Sequence, residues 1–213
     1  MLWAILSDIH GRGDRLARVL ADAQAQGATQ YLSLGDVGST AALDLLADVD
    51  ATCVFGNWEA SGLRGMDRPY RSLVGRWPAQ LRTDGLWAAH ASPVWPTDLA
   101  IAGVVDYLRA HSLHWLALFP SLQRSEDARW AALAELEAAQ ATTFFHGHTH
   151  VQEAWHWRSD ASLTQLCGPE FVLEDDGSRY LIGVGSIGDP HDGSGACYAL
   201  FDDAARRVVW RRV

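Results

Sequence analysis

Short apolar runs alternate with amphipathic stretches along the first 60 residues of the chain. Three of the runs have the length and composition of buried β-strands: LWAIL (2–6), QYLSL (30–34) and TCVF (52–55). The stretch after the first run repeats apolar residues at the spacing of one helical face: Leu16, Val19, Leu20 and Ala23. Ser39 and Thr40 are N-cap candidates for a second helix before the third run. The alternation of strands with helices predicts a parallel sheet covered by helices.

The middle of the chain adds two further buried strands, LWAA (86–89) and TTFF (142–145), with a mostly helical stretch between them. Ser125 and the acidic residues after it predict the N-terminus of a helix over 125–140. After residue 150 the period changes, and four segments have the pattern of strands separated by turns: VQEAWHW (151–157), RYLIGVGS (179–186), ACYALFD (196–202) and RVVWRR (207–212). We therefore expect residues 1–213 to form one layered α/β domain, with a second, more antiparallel sheet in the C-terminal third.

Composition narrows the class of protein. Hydrophobic residues make up 48% of the 213 positions, which is typical of a folded domain and not of a disordered chain. No apolar run reaches the roughly 18 residues that a bilayer span requires, and the N-terminus lacks the pattern of a signal peptide. Cys53, Cys167 and Cys197 are scattered and odd in number, which disfavours a disulfide framework and predicts a reducing, cytoplasmic environment.

The charge balance bears on possible partners. The formal net charge is −9, and every basic residue is an arginine because the chain contains no lysine. Binding to duplex nucleic acid depends on many cationic contacts with phosphates, so this acidity argues against it. A small phosphate ester held by metal ions is compatible with the charge.

Polar side chains with metal-ligand chemistry follow each of five predicted strands. They are Asp8 and His10 after the first strand, Asp36 after the second, Asn57 after the third, His90 after LWAA, and His148 with His150 after TTFF. In open α/β sheets, ligands bind at the carboxyl ends of the strands. We therefore expect these seven side chains to converge at one edge of a sheet.

The chemistry of such a cluster is metal binding, because carboxylate and imidazole groups suit divalent ions such as manganese, iron and zinc. Without thiolates, a structural zinc site is disfavoured. Seven ligands are too many for one tetrahedral ion, and they suit two ions that share a carboxylate and clamp phosphoryl oxygens. Asn57 gains weight because it is the only asparagine in the chain.

Five short motifs, in order, resemble the conserved blocks of the calcineurin-like metallophosphoesterases. They are SDIHG (7–11), LGD (34–36), GNWE (56–59), AHASP (89–93) and HGHTH (146–150). A late segment, VGSIGDPHDGSGACYALFD (184–202), resembles the glycine-serine turn and following strand of small bacterial members. The resemblance therefore covers nearly the whole chain.

The resemblance implies an α/β fold that is a four-layer αββα sandwich of two mixed β-sheets flanked by helices. It assigns the ligands of one ion to Asp8, His10, Asp36 and His150. It assigns those of the other ion to Asp36, Asn57, His90 and His148, with Asp36 bridging.

The activity implied is hydrolysis of a phosphoester of a small molecule by a metal-bridging hydroxide, with catalytic roles for Asp36, Asn57 and His90. Manganese is the expected metal ion, with iron, zinc, nickel and cobalt as alternatives. No membrane partner is expected, and a homo-oligomer is possible.

Two positions depart from the family pattern. Many members have histidine where this chain has Trp58, and an indole cannot donate a proton as an acid. Loss of a general acid typically costs on the order of 10²–10⁴ in rate. We therefore expect phosphodiesters, or esters with good leaving groups, to be preferred over alkyl monoesters. His111, His114 and His191 are alternative acids, and the spacing selects none of them.

The second departure, Ala89 and Ala91 around His90, changes backbone freedom but not the ligand.

Other interpretations stay open. A non-catalytic scaffold of the same fold would tolerate the loss of ligands, whereas all seven are present here. A nuclease is disfavoured by the acidity of the chain.

The stretch 96–124 is interpreted as a lid, a dimer contact or plain helices. His146 is a candidate to orient a ligand. Gly185 and Ser186 are interpreted either as a plain turn or as a turn that presents backbone N–H groups near the metals.

One motif is a false lead. GVGSIG (183–188) matches the G-x-G-x-x-G pattern, but Asp189-Pro190 follows at once and no helix is predicted there, so a nicotinamide or flavin site is not expected.

Overall fold

A computed structural model describes residues 1–213, and its regular elements follow the apolar runs of the sequence. The helices are α1 (Gly13–Ala25), α2 (Thr40–Asp48), α3 (Asn57–Gly62), α4 (Arg68–Val74), α5 (Val104–Ala110) and α6 (Glu126–Ala138). The strands are β1 (Leu2–Leu6), β2 (Gln30–Ser33), β3 (Thr52–Cys53), β4 (Gln80–Arg82), β5 (Trp87–Ala89), β6 (Thr143–His146), β7 (Gln152–Trp157), β8 (Leu163–Leu166), β9 (Glu170–Val172), β10 (Arg179–Val184), β11 (Cys197–Asp202) and β12 (Arg207–Arg212). Three 3₁₀ turns lie at Leu63–Gly65, Ile101–Gly103 and Trp115–Ala117.

The strands form two six-stranded sheets, and both are mixed. The first sheet has the order β3-β2-β1-β11-β12-β9, with β1, β2 and β3 parallel and the remaining pairs antiparallel. The second has the order β4-β5-β6-β10-β7-β8, with β5, β6 and β10 parallel. The predicted α/β fold with two mixed sheets flanked by helices is confirmed.

The side-chain alternation of the strands separates the four layers. Trp3 and Ile5 of β1 pack between the two sheets, whereas Leu6 packs toward α1 and α2. In β6, Phe145 packs between the sheets and Phe144 packs against α6. Because both faces of each central strand are buried, these strands appear in the sequence as continuous apolar runs and not as alternating ones.

The expectation of a separate antiparallel sheet in the C-terminal third is wrong, because its strands are shared between the two sheets. β11 pairs with β1 in the first sheet, with Ala4 opposite Leu200. β10 pairs with β6 in the second sheet, with Leu181 opposite Phe144. The local period of a strand identifies its buried faces but not its pairing partner, so the sequence pattern did not resolve this division.

The predicted helix starts are confirmed where a side chain caps the helix. The Ser39 hydroxyl accepts a hydrogen bond from the Ala42 N–H at the start of α2, and the Ser125 hydroxyl accepts one from the Ala128 N–H at the start of α6. The stretch 96–124 is less helical than expected, since it contains only α5 and two 3₁₀ turns. None of the helices has the length and apolar character needed to cross a membrane.

Candidate metal centre

The predicted ligands lie at the carboxyl ends of strands from both sheets. Asp8, His10, Asp36 and Asn57 follow the parallel strands β1, β2 and β3 of the first sheet. His90 follows β5, and His148 and His150 follow β6, in the second sheet. The expected convergence at a single sheet edge is therefore corrected, since the carboxyl ends of two packed sheets together form one end of the sandwich.

The backbone at this end is bent to direct the side chains. Five of the predicted ligands have φ angles in the left-handed region: Asp8 (52°), His10 (49°), Asp36 (54°), His148 (62°) and His150 (60°). This conformation is uncommon for residues other than glycine, and such residues concentrate at functional sites. In the HGHTH segment, His148 and His150 are left-handed and Thr149 between them is not. The segment thus forms a turn that brings His148 and His150 beside the ends of β1 and β5.

Asp8, His10 and His150 form the first ligand group. The Nε2 atom of His150 lies 3.2 Å from Oδ1 of Asp8, and that of His10 lies 3.7 Å from the same oxygen. The two Nε2 atoms are 3.1 Å apart. All three ligand atoms lie within 4.8 Å of one another, a spacing that one divalent ion can bridge.

Asp8, Asp36 and His90 form the second group, again with ligand atoms within 4.8 Å of one another. Nε2 of His90 lies 3.6 Å from Oδ2 of Asp36 and 3.0 Å from Oδ1 of Asn57. The His148 ring centroid is 5.1 Å from that of His90. The carboxylate common to the two groups is Asp8, so the bridging role of Asp36 stays a prediction.

Burial and charge prepare this cluster for a cation. Asp8 and Asp36 are buried, and Asp8 Oδ1 has no well-aligned hydrogen bond. Burial opposes ionisation of Asp8, but contacts with His10 and His150 hold its pKa well below the usual range. Burial raises the pKa of Asp36 to about 6, and it lowers the pKa of His148 to about 3. Buried acids beside a neutral imidazole make a favourable donor set for divalent ions.

Backbone carbonyls orient two of the imidazoles. Nδ1 of His90 donates to the Leu34 carbonyl oxygen at 2.9 Å, and Nδ1 of His150 donates to the Asp189 carbonyl oxygen at 2.7 Å. Because Nδ1 donates to a carbonyl oxygen in each case, Nε2 faces the acids, and in the neutral imidazole Nε2 is the nitrogen that carries the lone pair. This is the tautomer that a metal ligand requires.

Two glycines of the motifs are required by close packing at the cluster. A Cβ atom on Gly147 would collide with the Ser7 hydroxyl and the Asp8 carboxylate, and one on Gly56 would collide with the Asp36 carboxylate. The missing side chains let the HGHTH turn and the segment after β3 approach the acids.

Sequence reasoning did not identify the hydrogen bonds by which the side chains of Glu59 and Ser186 position the predicted ligands. Glu59 is buried and accepts hydrogen bonds from the backbone of Asp36 and Val37. The Ser186 hydroxyl donates to the Asp8 carbonyl oxygen at 2.8 Å, so the glycine-serine turn after β10 holds the loop after β1. The GNWE spacing could have signalled Glu59, because it places an acid at the third position of a helix.

Other residues singled out in the sequence lie around the cluster. The Trp58 indole contacts the His10 ring edge-on, with centroids 4.3 Å apart, and is half exposed. His146 makes no hydrogen bond to a predicted ligand, since its Nδ1 bonds to the Gly147 carbonyl oxygen and its Nε2 has no hydrogen-bond partner. Among the three alternative acids, His191 lies beside His150, with ring centroids 4.6 Å apart.

The two remaining alternative acids are engaged locally, His111 with the Tyr107 carbonyl oxygen and His114 with the Leu116 N–H.

Comparisons with known proteins identify the family and the fold of this chain. A sequence model described as the calcineurin-like phosphoesterase superfamily domain matches residues 1–205. An uncharacterized protein of Methanocaldococcus jannaschii is 25% identical over 224 residues, which cover 99% of this chain and 86% of that protein.

Two solved structures share the fold. A metallophosphoesterase from Sphaerobacter thermophilus has a TM-score of 0.72 and 22% identity, covering 100% of this chain and 88% of that chain. A novel archaeal phosphodiesterase has a TM-score of 0.54 and 11% identity, covering 100% of both chains.

Proposed function

Because the chain belongs to the calcineurin-like phosphoesterase superfamily, we propose that it hydrolyses small-molecule phosphodiesters with two divalent metal ions. The observation that carries this proposal is the pair of ligand groups that meet at Asp8, each compact enough to surround one cation. The fit rests on the chemistry of the residues themselves, since one oxygen of this buried carboxylate has no well-aligned hydrogen bond.

The ligand assignment follows the two groups. Asp8, His10 and His150 would hold one ion, and Asp36, Asn57, His90 and His148 would hold the other, with either Asp8 or Asp36 shared. Bound ions of this kind supply a nucleophilic water at neutral pH and neutralise charge on the phosphoryl oxygens. Manganese is the proposed metal.

A cytoplasmic location is proposed as well, and the unpaired thiols of Cys53, Cys167 and Cys197 support it.

The preference for diesters rests on Trp58. Its indole occupies the position beside His10 where a leaving-group acid would be useful, and it has no titratable proton at neutral pH. The missing acid therefore lowers the rate least for substrates whose leaving group departs without protonation. These substrates include aryl esters and activated diesters.

The test begins with metal analysis of the purified protein and a manganese-supplemented assay on bis(p-nitrophenyl) phosphate. Asp36→Asn should abolish turnover and reduce the bound metal, whereas Asp48→Asn, on the exposed end of α2, should change neither. A protein that binds manganese fully but turns over neither diesters nor monoesters would instead be a scaffold of this fold.

A further inference from the structure

A cavity of about 460 Å³ lies directly beside the metal centre. Its walls come from the start of α2, from α3 and α4, and from the 3₁₀ turn between them. The side chains that define it include Leu43, Trp58, Met66, Tyr70 and Val74. This volume is within the usual range for small-molecule pockets.

Trp58 joins the cavity to the metal ligands. Its indole ring contacts His10, and its backbone N–H donates to Oδ1 of Asp36 at 2.8 Å. The same residue lines the cavity and is 47% exposed. A phosphoester whose phosphorus lies at the ligand cluster therefore has the cavity within reach of one of its ester groups.

The chemistry of the walls selects the kind of ester group. Met66 and a small exposed part of Leu43 provide apolar surface, and Trp58 and Tyr70 provide aromatic rings. The Tyr70 hydroxyl is engaged with the Asp44 carboxylate at 3.2 Å, so its ring is the part available to a ligand. Apolar and aromatic walls favour a flat, apolar ligand group.

The charges of the walls exclude a second anionic group. No arginine lines the cavity, and its ionisable acids are Glu59 and Asp67. Glu59 is engaged by three backbone N–H groups, and Asp67 is exposed. A polyphosphate or a further phosphate of a nucleic acid strand would meet no counter-charge there and would face an acid instead.

We propose that this cavity binds an uncharged aromatic ester group of the substrate. Examples are the aryl ring of an aryl phosphate ester and the nucleobase of a nucleoside ester with a single phosphate. The assignment rests on the proposed phosphoesterase function and narrows its substrate class. Diesters carrying one aromatic ring and one phosphate fit the site, whereas dinucleoside polyphosphates do not.

Two glycines of the cavity wall allow it to be filled. A Cβ atom on Gly62 or Gly65 would meet no atom within 4 Å, and neither residue has a left-handed backbone. Gly62→Phe and Gly65→Phe therefore add a ring at the wall of the cavity without backbone strain. Gly85→Phe is the matched control, because Gly85 has the same freedom but lies in the turn before β5, away from the cavity.

The test measures binding of phenyl phosphate, methyl phosphate and inorganic phosphate to the manganese-loaded protein by titration calorimetry. Burial of the ring should make phenyl phosphate bind about tenfold tighter than methyl phosphate in the wild type. The ratio should fall to about one in the Gly62 and Gly65 variants and persist in Gly85→Phe, with inorganic phosphate bound equally by all.

Equal affinities for phenyl and methyl phosphate in the wild type, or a preference that survives both filling variants, would overturn the cavity assignment. The proposed function is tested separately by turnover of bis(p-nitrophenyl) phosphate. If the protein prefers phenyl phosphate but shows no turnover, the enzymatic proposal is refuted and the cavity assignment stands. If it shows turnover but no preference for phenyl phosphate, the cavity assignment is refuted and the enzymatic proposal stands.

Discussion

The carboxylate of Glu59 accepts a hydrogen bond from the backbone N–H of Asp36 at 2.8 Å, across 23 positions of sequence. The same oxygen accepts from the Gly56 N–H, and the other oxygen accepts from the Val37 N–H, each at 2.8 Å. Glu59 is 2% exposed. One buried acid thus fixes the loop after β2 to the start of α3, and with it the relative positions of Asp36 and Asn57.

Replacement of Glu59 by glutamine should weaken metal binding, although Glu59 lies outside the ligand set. A glutamine has one oxygen, so its NH₂ group would face at least one N–H and leave that buried donor unpaired. We expect manganese affinity to fall by about 10- to 100-fold, as for other residues that orient ligands. Titration calorimetry measures this, with Glu135→Gln on the exposed face of α6 as the control. Equal affinities in the two variants would contradict the positioning role.

Removal of metal should destabilise the fold, because the buried acids Asp8 and Asp36 then lack a compensating cation. A ligand at about 100 times its dissociation constant stabilises the native state by about 2.7 kcal/mol. For a chain of this size, that corresponds to a shift in Tm of about 5–10 °C. Thermal unfolding with a chelator, and again after addition of manganese, measures the shift. Asp36→Asn should reduce it, and an unchanged Tm in the wild type would refute metal binding.

The positions of the candidate ligands were predictable from sequence because parallel β-α-β order directs strand ends the same way. Asp8 and Asp36 follow adjacent parallel strands, which local apolar patterns reveal. The arrival of His90 and His150 from a second sheet was not predictable in this way, because strand pairing is a long-range choice. The same holds for Ser186, which bonds to the carbonyl oxygen of Asp8 across 178 positions. Such contacts depend on the assembled sandwich and leave no local period.

The stability of the fold should depend on pH through Glu153, which is buried on β7 with one oxygen unpaired. Burial raises the pKa of Glu153 to about 7 from an ordinary value of 4.5. Between these values the native state retains the proton and the unfolded chain has released it. The free energy of unfolding should therefore decrease as the pH rises through this window, by about 1–3 kcal/mol, and level off above it.

Glu153→Gln should remove this dependence, since the amide does not titrate, and should stabilise the protein above neutral pH. Chemical denaturation of wild type and variant at pH 5 and pH 8 measures the difference. Glu135→Gln, on the exposed face of α6, should retain the wild-type slope. A parallel pH dependence in wild type and Glu153→Gln would show that Glu153 does not titrate in this range.

Replacement of Trp58 by histidine should extend activity toward substrates with poor leaving groups. The imidazole would lie beside His10, where the indole now lies, and it would offer a titratable proton near neutral pH. The expected gain for an alkyl monoester is at least about tenfold, which is less than the roughly 10²–10⁴ that a well-positioned general acid contributes. An aryl diester should gain little, because its leaving group departs without protonation. Trp58→Phe is the matched control, since it retains an aromatic ring but has no titratable proton. If both variants change the two substrates equally, the effect comes from the altered wall of the cavity and not from proton donation, and the leaving-group explanation of the diester preference is refuted.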